Sequence, residues 1–501
     1  MQKYIIAWNE MVAILRDFIT MPKIKNAFLW GIVLYGIALF ALIRGDIYYA
    51  DDLQTSIWNL SWNHNSRYLA TFILNDLATL GKGAVDSSPL LQIMAVILVV
   101  ASSLILIYLI RGKFDLLGIV ASLPLGLSPH FLQNLSYKFD SLTMGFALFF
   151  AIFPFLFKEN RRVFCAVSII SLILMFMSYQ AANGTYIILS LYFAFSAYFL
   201  EKRSFKDSAI FLAICVANLI VATLLYKLTI NPIHSSSAIS DKAIPFDSLL
   251  LGVWANLCAY LATIFNDLKN TPYIWLIALM CVLFVISVAI RANRPKILAI
   301  CGAILFLIFG ICLSYGLYLV LQKPLFHPRA FYGFNALIAV LCIANVRFSI
   351  DSSKIHKILH FASATIAVIT AYFLISFANI YGNALKKQDE YLDFRAKALL
   401  SDLSNTIPPN ATITIDIGKI GNAKVTQRFY DKYGFYANIP QLSVWGDFWF
   451  ILKLRHLNAP YNLDNDDICN FIKENFGSEV IFKNAYHTIE KAKSCYIVTI
   501  K

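Results

Sequence analysis

The sequence predicts a polytopic α-helical membrane protein with a small α/β domain at its C-terminal end. Composition is the first reason: the 501 residues are 59% hydrophobic and only 14% charged, whereas a soluble domain carries roughly a quarter charged residues. The second is patterning. Mostly apolar runs of about 17 residues or more recur along the chain, each long enough for a hydrocarbon core about 30 Å thick. A single large soluble core is excluded, because it would need far more polar surface. The net charge of +13 does not indicate nucleic acid, because of where the basic residues fall.

Residues 1–26 are amphipathic and mixed, with no small-residue cleavage site after an apolar region, so they are expected to form an inner-face segment rather than a cleaved signal. The transmembrane part is expected over 27–380. Eleven spans are predicted, at about 27–44, 89–110, 114–131, 141–157, 163–180, 184–200, 208–228, 272–290, 297–320, 329–346 and 358–380. With the N-terminus inside, the inner segments (1–26, 111–113, 158–162, 201–207, 291–296, 347–357) hold 18 Lys and Arg, and the longer outer loops before residue 381 hold about 6. This asymmetry sets the orientation.

Residues 248–266 are apolar enough to span. Counting them as a crossing would put Arg291, Arg294, Lys296 and all later basic clusters outside, so they are placed on the outer membrane surface, within an interfacial segment 229–271. The C-terminus is then outside. From residue 386 to 501 the composition turns polar, and a small domain is expected: strands at "ATITIDIG" (411–418), "EVIFKN" and "CYIVTIK", and a helix at "DDICNFIKENFG" with Gly477 as its cap. Six cysteines fall in spans as apolar fillers. Cys469 and Cys495 stand alone in the outer domain, where an oxidising compartment favours bridging them. No CxxC or Cys/His cluster suggests zinc.

Polar residues of an unusual kind collect at the outer ends of the spans. The first outer loop, 45–88, opens with "DIYYADDLQT", carrying Asp46, Asp51 and Asp52, and continues to Arg67. The third span ends in "SPHFLQNLSYKFDS", with Tyr137, Lys138 and Asp140. The fifth ends in "SYQAANG", with Tyr179 and Gln180. The ninth leads into "LQKPLFHPRAFYG", with Lys323 and Arg329. A carboxylate at the membrane edge can take a proton from an attacking hydroxyl, and Arg or Lys can grip a phosphate. That set suits glycosyl transfer from a lipid-phosphate sugar. The plainer readings are a solvated acidic loop, cations snorkelling to headgroups, and belt aromatics. A flippase for a lipid-linked sugar is the competing function, but it calls for charged or broken helices near the midplane, and these spans hold almost no charge. An O-antigen polymerase or ligase would show a large outer loop between late helices.

"YYADDLQ…W…SRYLA", "NLSYKFDSLTM" and "SYQAANGTY" together resemble the serotype-converting glucosyltransferases that modify bacterial O-antigens. More broadly they look like GT-C integral-membrane glycosyltransferases. The resemblance covers roughly residues 25–345. It implies glucose moved from undecaprenyl-phosphate glucose to a lipid-linked O-antigen, on the periplasmic side of the bacterial inner membrane, with Asp51 or Asp52 as catalytic base. On their chemistry, Lys138, Arg67 and Lys323 or Arg329 are expected to stabilise the donor phosphate, and Gln180, Tyr179 and Asp140 to bond the donor sugar or brace the cations, with Tyr137 beside them. Two positions depart from the pattern: Ser66 stands where Gly often precedes the arginine, and Lys138 where Arg is common, losing the planar fork. Two vicinal Asp make a weak metal signal, so a divalent cation stays open, as does oligomeric state.

Overall fold

The computed structural model describes residues 2–81, 83–230, 242–347, 354–417, 421–434, 450–464 and 468–501. Helix dominates. α1 (Gln2–Ile19) lies against the bundle through Phe18, whose ring meets Tyr108 at 5.3 Å. There follow α2 (Ile24–Gly45), α3 (Asp52–Trp58), α4 (Tyr68–Thr71), α5 (Leu90–Arg111), α6 (Leu116–Ser122), α7 (Pro124–Leu127), α8 (Leu132–Ser136), α9 (Ser141–Ile152), α10 (Arg161–Ser178), α11 (Asn183–Phe199) and α12 (Phe205–Leu225). Then come α13 (Leu249–Leu268), α14 (Tyr273–Arg291), α15 (Lys296–Leu313), α16 (Tyr332–Asn345) and α17 (Lys354–Thr406). Polar side chains start several of them: Asp115 accepts from Gly118 N at 2.7 Å and Ser204 from Asp207 N at 3.0 Å, each satisfying an amide the first turn leaves open.

Eight helices among the described residues are long and apolar enough to cross a membrane. Seven coincide with expected spans. The eighth, Phe246–Leu268, is the segment the sequence placed on the surface. The other expected spans are shorter helices. Pro124 opens α7 and Pro154 ends α9 in a 3-10 turn, since proline removes a helical N–H. α11 has 17 residues and α16 has 14. The last expected span, 358–380, is part of α17, which runs unbroken for 53 residues. The domain boundary drawn at 386 therefore falls inside one continuous helix.

Close backbone approach fixes the end of the bundle that carries the starts of α11 and α16. A Cβ on Gly184 would meet Ser314 O at 2.3 Å, and one on Gly333 the same oxygen at 2.2 Å. Only glycine lets the starts of α11 and α16 close on the end of α15. From Asn256 to Asp267, α13 packs against this end. Asn256 donates to Leu319 O at 2.9 Å, Tyr260 pairs with Ser314 at 2.8 Å, and Asp267 pairs with buried His130 at 3.2 Å. Residues 231–241 of the expected interfacial segment, and 348–353 of the last inner loop, lie outside the described residues. Large apolar side chains such as Leu29, Phe40, Ile220, Trp275 and Leu298 are exposed on the bundle's flank, as expected of a surface that faces hydrocarbon.

After α17 come β1 (Thr412–Ile417), α18 (Lys424–Tyr433), α19 (450–456), β2 (Asn462–Asp464), α20 (Ile468–Phe476), β3 (Glu479–Lys483), β4 (His487–Ala492) and β5 (Cys495–Ile500). They form one sheet of order β2-β1-β5-β4-β3, with β1 parallel to both neighbours and β3, β4 and β5 antiparallel. β1, β3, β5 and α20 lie where the sequence put them. Gly418, Asp466 and Asp467 of those expected stretches lie outside the described residues. β2 and β4 were not read from sequence: "HTIEKA" carries two charges and "NLD" is too short to show a period. Gly477 closes α20 in a left-handed conformation, its N–H on Lys473 O at 2.8 Å. Cys469 and Cys495 form a disulfide with Cα atoms 5.5 Å apart, tying α20 to β5.

The domain's core reaches into the segment between α2 and α5. Leu53 of α3 is fully buried in one cluster with Leu392 and Leu399 of α17, Ile413 of β1 and Leu454 of α19.

Candidate active site

The site is assembled from four stretches at the end of the bundle where α11 and α16 start. In the first, Asp46 and Ala50 both adopt left-handed backbone, φ 52 and 48. This turns the chain sharply out of α2 and into α3, at a cost of about 1–2 kcal/mol for a residue with a Cβ. Asp51 is the residue before α3, and its side chain makes no capping bond. Asp52 begins the helix. Ser66, immediately before Arg67, is likewise left-handed at φ 57, which gives a physical reason for glycine at that position in the pattern it resembles.

Asp51 and Asp52 point different ways. Asp52 is buried, and its carboxylate accepts from Tyr49 N at 2.9 Å, Lys138 N at 2.8 Å and Phe139 N at 3.2 Å. Burial pushes its pKa well up, the amides of Lys138 and Phe139 pull it down, and Asp140 and Asp51 push it up again. It splices α3 to the 137–140 turn. Asp51 is only half-buried, and its Oδ1 is buried with no hydrogen-bond partner among the described residues.

The space around Asp51 holds most of the expected residues. Asp140 accepts from Trp62 Nε1 at 2.6 Å. Burial, then Asp51, raise its pKa to about 7, against the opposing pull of Trp62, Arg67 and Arg329. The Arg329 guanidinium bonds the Tyr137 hydroxyl, and its backbone N–H donates to Gln133 Oε1 at 2.8 Å. Burial disfavours the charge on Arg329, but Tyr137, Tyr179 and Asp51 outweigh that and raise its pKa. Arg67 Nε donates to Gln180 Oε1 at 2.7 Å, and its guanidinium lies 4.5 Å from the centre of the Tyr179 ring. Gln180 Nε2 donates in turn to Asn65 O and the Tyr226 hydroxyl, both at 3.0 Å. The Tyr179 hydroxyl is buried with no hydrogen-bond partner among the described residues.

Two expected residues stand apart. Lys138 turns away from the arginines: its Nζ pairs with Asp46 at 2.7 Å and Asp86 at 3.0 Å, over the Tyr48 ring at 4.0 Å. The two carboxylates hold its pKa up although burial works against it. The turn at 137–140 explains this, because Tyr137 and Asp140 face one side and Lys138 the other. Lys323 is exposed on the 321–327 loop, and no contact joins it to the cluster among the described residues. Sequence reasoning missed Asp86, Gln133 and the role of Trp62. Gln133 was the legible one, an amide inside an apolar run; its Nε2 donates to Tyr49 Oη at 3.0 Å. Among the described residues no three His, Cys, Asp or Glu group as metal ligands.

Beside Gln180 a mostly apolar cavity of about 110 Å³ opens between the ends of α10 and α12 and the 316–320 turn, lined by Phe176, Tyr226, Lys227, Leu317 and Leu321 among others.

A bundle of membrane-length apolar helices with acids, arginines and tyrosines gathered at one end defines a polytopic membrane protein whose polar chemistry lies at one rim. The chain belongs to the glucosyl transferase GtrII family, whose model matches residues 39–340, a span that holds the whole cluster. A Salmonella phage P22 protein, described as an uncharacterized 55.3 kDa protein in the gtrB 5' region, is 32% identical over 191 residues. That match covers 38% of this chain and 39% of the phage protein. No solved structure matches.

Proposed function

We propose that the protein transfers glucose from a polyprenyl-phosphate donor, undecaprenyl-phosphate glucose, to lipid-linked O-antigen or a related surface glycan at the periplasmic face of the bacterial inner membrane. The meeting of Asp51 with Arg67, Arg329 and Asp140 at one rim carries this reading. Family membership supports the sugar.

In the reaction, an acceptor hydroxyl gives its proton to Asp51 as its oxygen bonds the anomeric carbon. The bond from that carbon to the phosphate oxygen breaks, and polyprenyl phosphate leaves with the electron pair. A single displacement of this kind inverts the anomeric centre. Charge grows on the departing phosphate, so Arg67 and Arg329 lower the barrier as well as hold the donor. Asp51 suits the base and Asp52 does not, because both Asp52 oxygens are occupied by amides. The open Tyr179 hydroxyl bonds the donor's polar part, and Gln180, its own N–H groups already donated, braces Arg67. The cavity beside Gln180 takes the first prenyl units, and the rest of the tail runs out into lipid. α13 lies along the membrane surface. The cations gather at the rim and not at mid-depth, which favours one-sided chemistry over alternating access.

Protein reconstituted with polyprenyl-phosphate [14C]glucose and a lipid-linked glycan tests this. Asp51→Asn is expected to cut transfer by about 10²–10⁴-fold while donor binding persists. Transfer at the wild-type rate in Asp51→Asn would remove the base.

A further inference from the structure

We propose that the exposed face of α3, completed by Arg455 of the C-terminal domain, is the ledge on which the acceptor sugar chain lies. The proposal rests on the transferase reading above and adds the acceptor's place.

The geometry begins with helical spacing. Asp51, Gln54 and Trp58 stand at i, i+3 and i+7, along one face of α3. The other face is committed. Asp52 is bound by three amides, and Leu53 is fully buried in the C-terminal domain's core with Ile57 packed against it. Gln54 is half-buried and Trp58 is exposed. The guanidinium of exposed Arg455 lies 5.3 Å from the Trp58 ring centre, and next to it the ring of exposed His456 meets Tyr48 at 5.3 Å.

The chemistry fits a neutral sugar chain. An indole offers a flat apolar face to the C–H side of a pyranose, and an amide and a guanidinium supply donors for its hydroxyls. Membrane exposure does not account for Trp58, as it does for Trp275 on α14. Trp58 lies on an outer loop against an arginine of the polar domain. At 1.5 Å per residue, Trp58 is about 10 Å along the helix from Asp51. A sugar chain bound there would deliver a hydroxyl to the carboxylate while its neighbouring units stayed on the ledge. The C-terminal domain builds half of this ledge and backs the helix that carries Asp51.

The test uses the full-length protein in nanodiscs and fluorescently labelled O-polysaccharide released from smooth lipopolysaccharide. Binding is expected in wild type and in Asp51→Asn, and is expected to weaken at least tenfold in Trp58→Ala and Arg455→Ala, with partial recovery in Trp58→Phe. In transfer assays the same two alanine variants should raise the acceptor KM and leave the donor KM within twofold. Unchanged polysaccharide binding in Trp58→Ala and Arg455→Ala, or no binding by wild type, overturns the ledge. If wild type binds the polysaccharide but moves no sugar from polyprenyl-phosphate glucose, the donor reading fails and the ledge stands.

Discussion

At Asp52 three backbone N–H groups from two separate loops converge on one carboxylate. Removing that acceptor strands buried donors at about 1–3 kcal/mol each. Asp52→Ala is therefore expected to lower the melting temperature sharply, and Asp51→Ala hardly at all. Thermal unfolding of the two variants in one detergent checks this, and equal losses would contradict the division of roles. Asp140 leads to a pH prediction. Burial, then the charge of Asp51, raise its pKa to about 7, so it gains its proton as pH falls through that value. Asp140→Asn removes that titration, and Asn can still accept from Trp62. The inflection near pH 7 in the kcat/KM profile is therefore expected to vanish in Asp140→Asn. An inflection near pH 7 that persists in the variant would show that Asp140 is not the group behind it.

Among the elements, the contact of α11, α15 and α16 at Gly184, Ser314 and Gly333 sets the depth of the site. α11 starts just after Gln180, and α16 just after Arg329. A methyl at residue 333 would sit 2.2 Å from Ser314 O and 2.8 Å from the Gly184 carbonyl carbon, so the helices must separate. Overpacking of this kind costs about 1–3 kcal/mol. Gly333→Ala is expected to lose both stability and transfer, whereas Gly36→Ala, whose Cβ meets nothing within 4 Å, should lose neither. α3 plays a comparable part: seven residues long, it is too short to hold itself and takes its position from the 137–140 turn on one side and the C-terminal core on the other.

On the scale of the whole molecule, α17 joins the bundle to the C-terminal domain as one helix of 53 residues, so the domain's side of the membrane follows from that helix. A cysteine placed at exposed Ser404, in a background lacking the seven free cysteines, should react with a membrane-impermeant maleimide added from the periplasmic side. Labelling only after lysis would reverse the orientation. The amino-acid sequence by itself determined the helical membrane class, the apolar segments and the polar stretches between them, because hydropathy and charge are properties of local composition. It also picked out most of the acids, arginines and tyrosines that meet at the rim, since they collect where apolar runs end. Only the tertiary structure decided that Asp51 is the open carboxylate and Asp52 the anchored one, that Lys138 turns to Asp46 and Asp86, and that α3 is shared between two cores. Those outcomes depend on which backbone amides and side chains approach from distant parts of the chain, and the local pattern of residues carries no record of that approach.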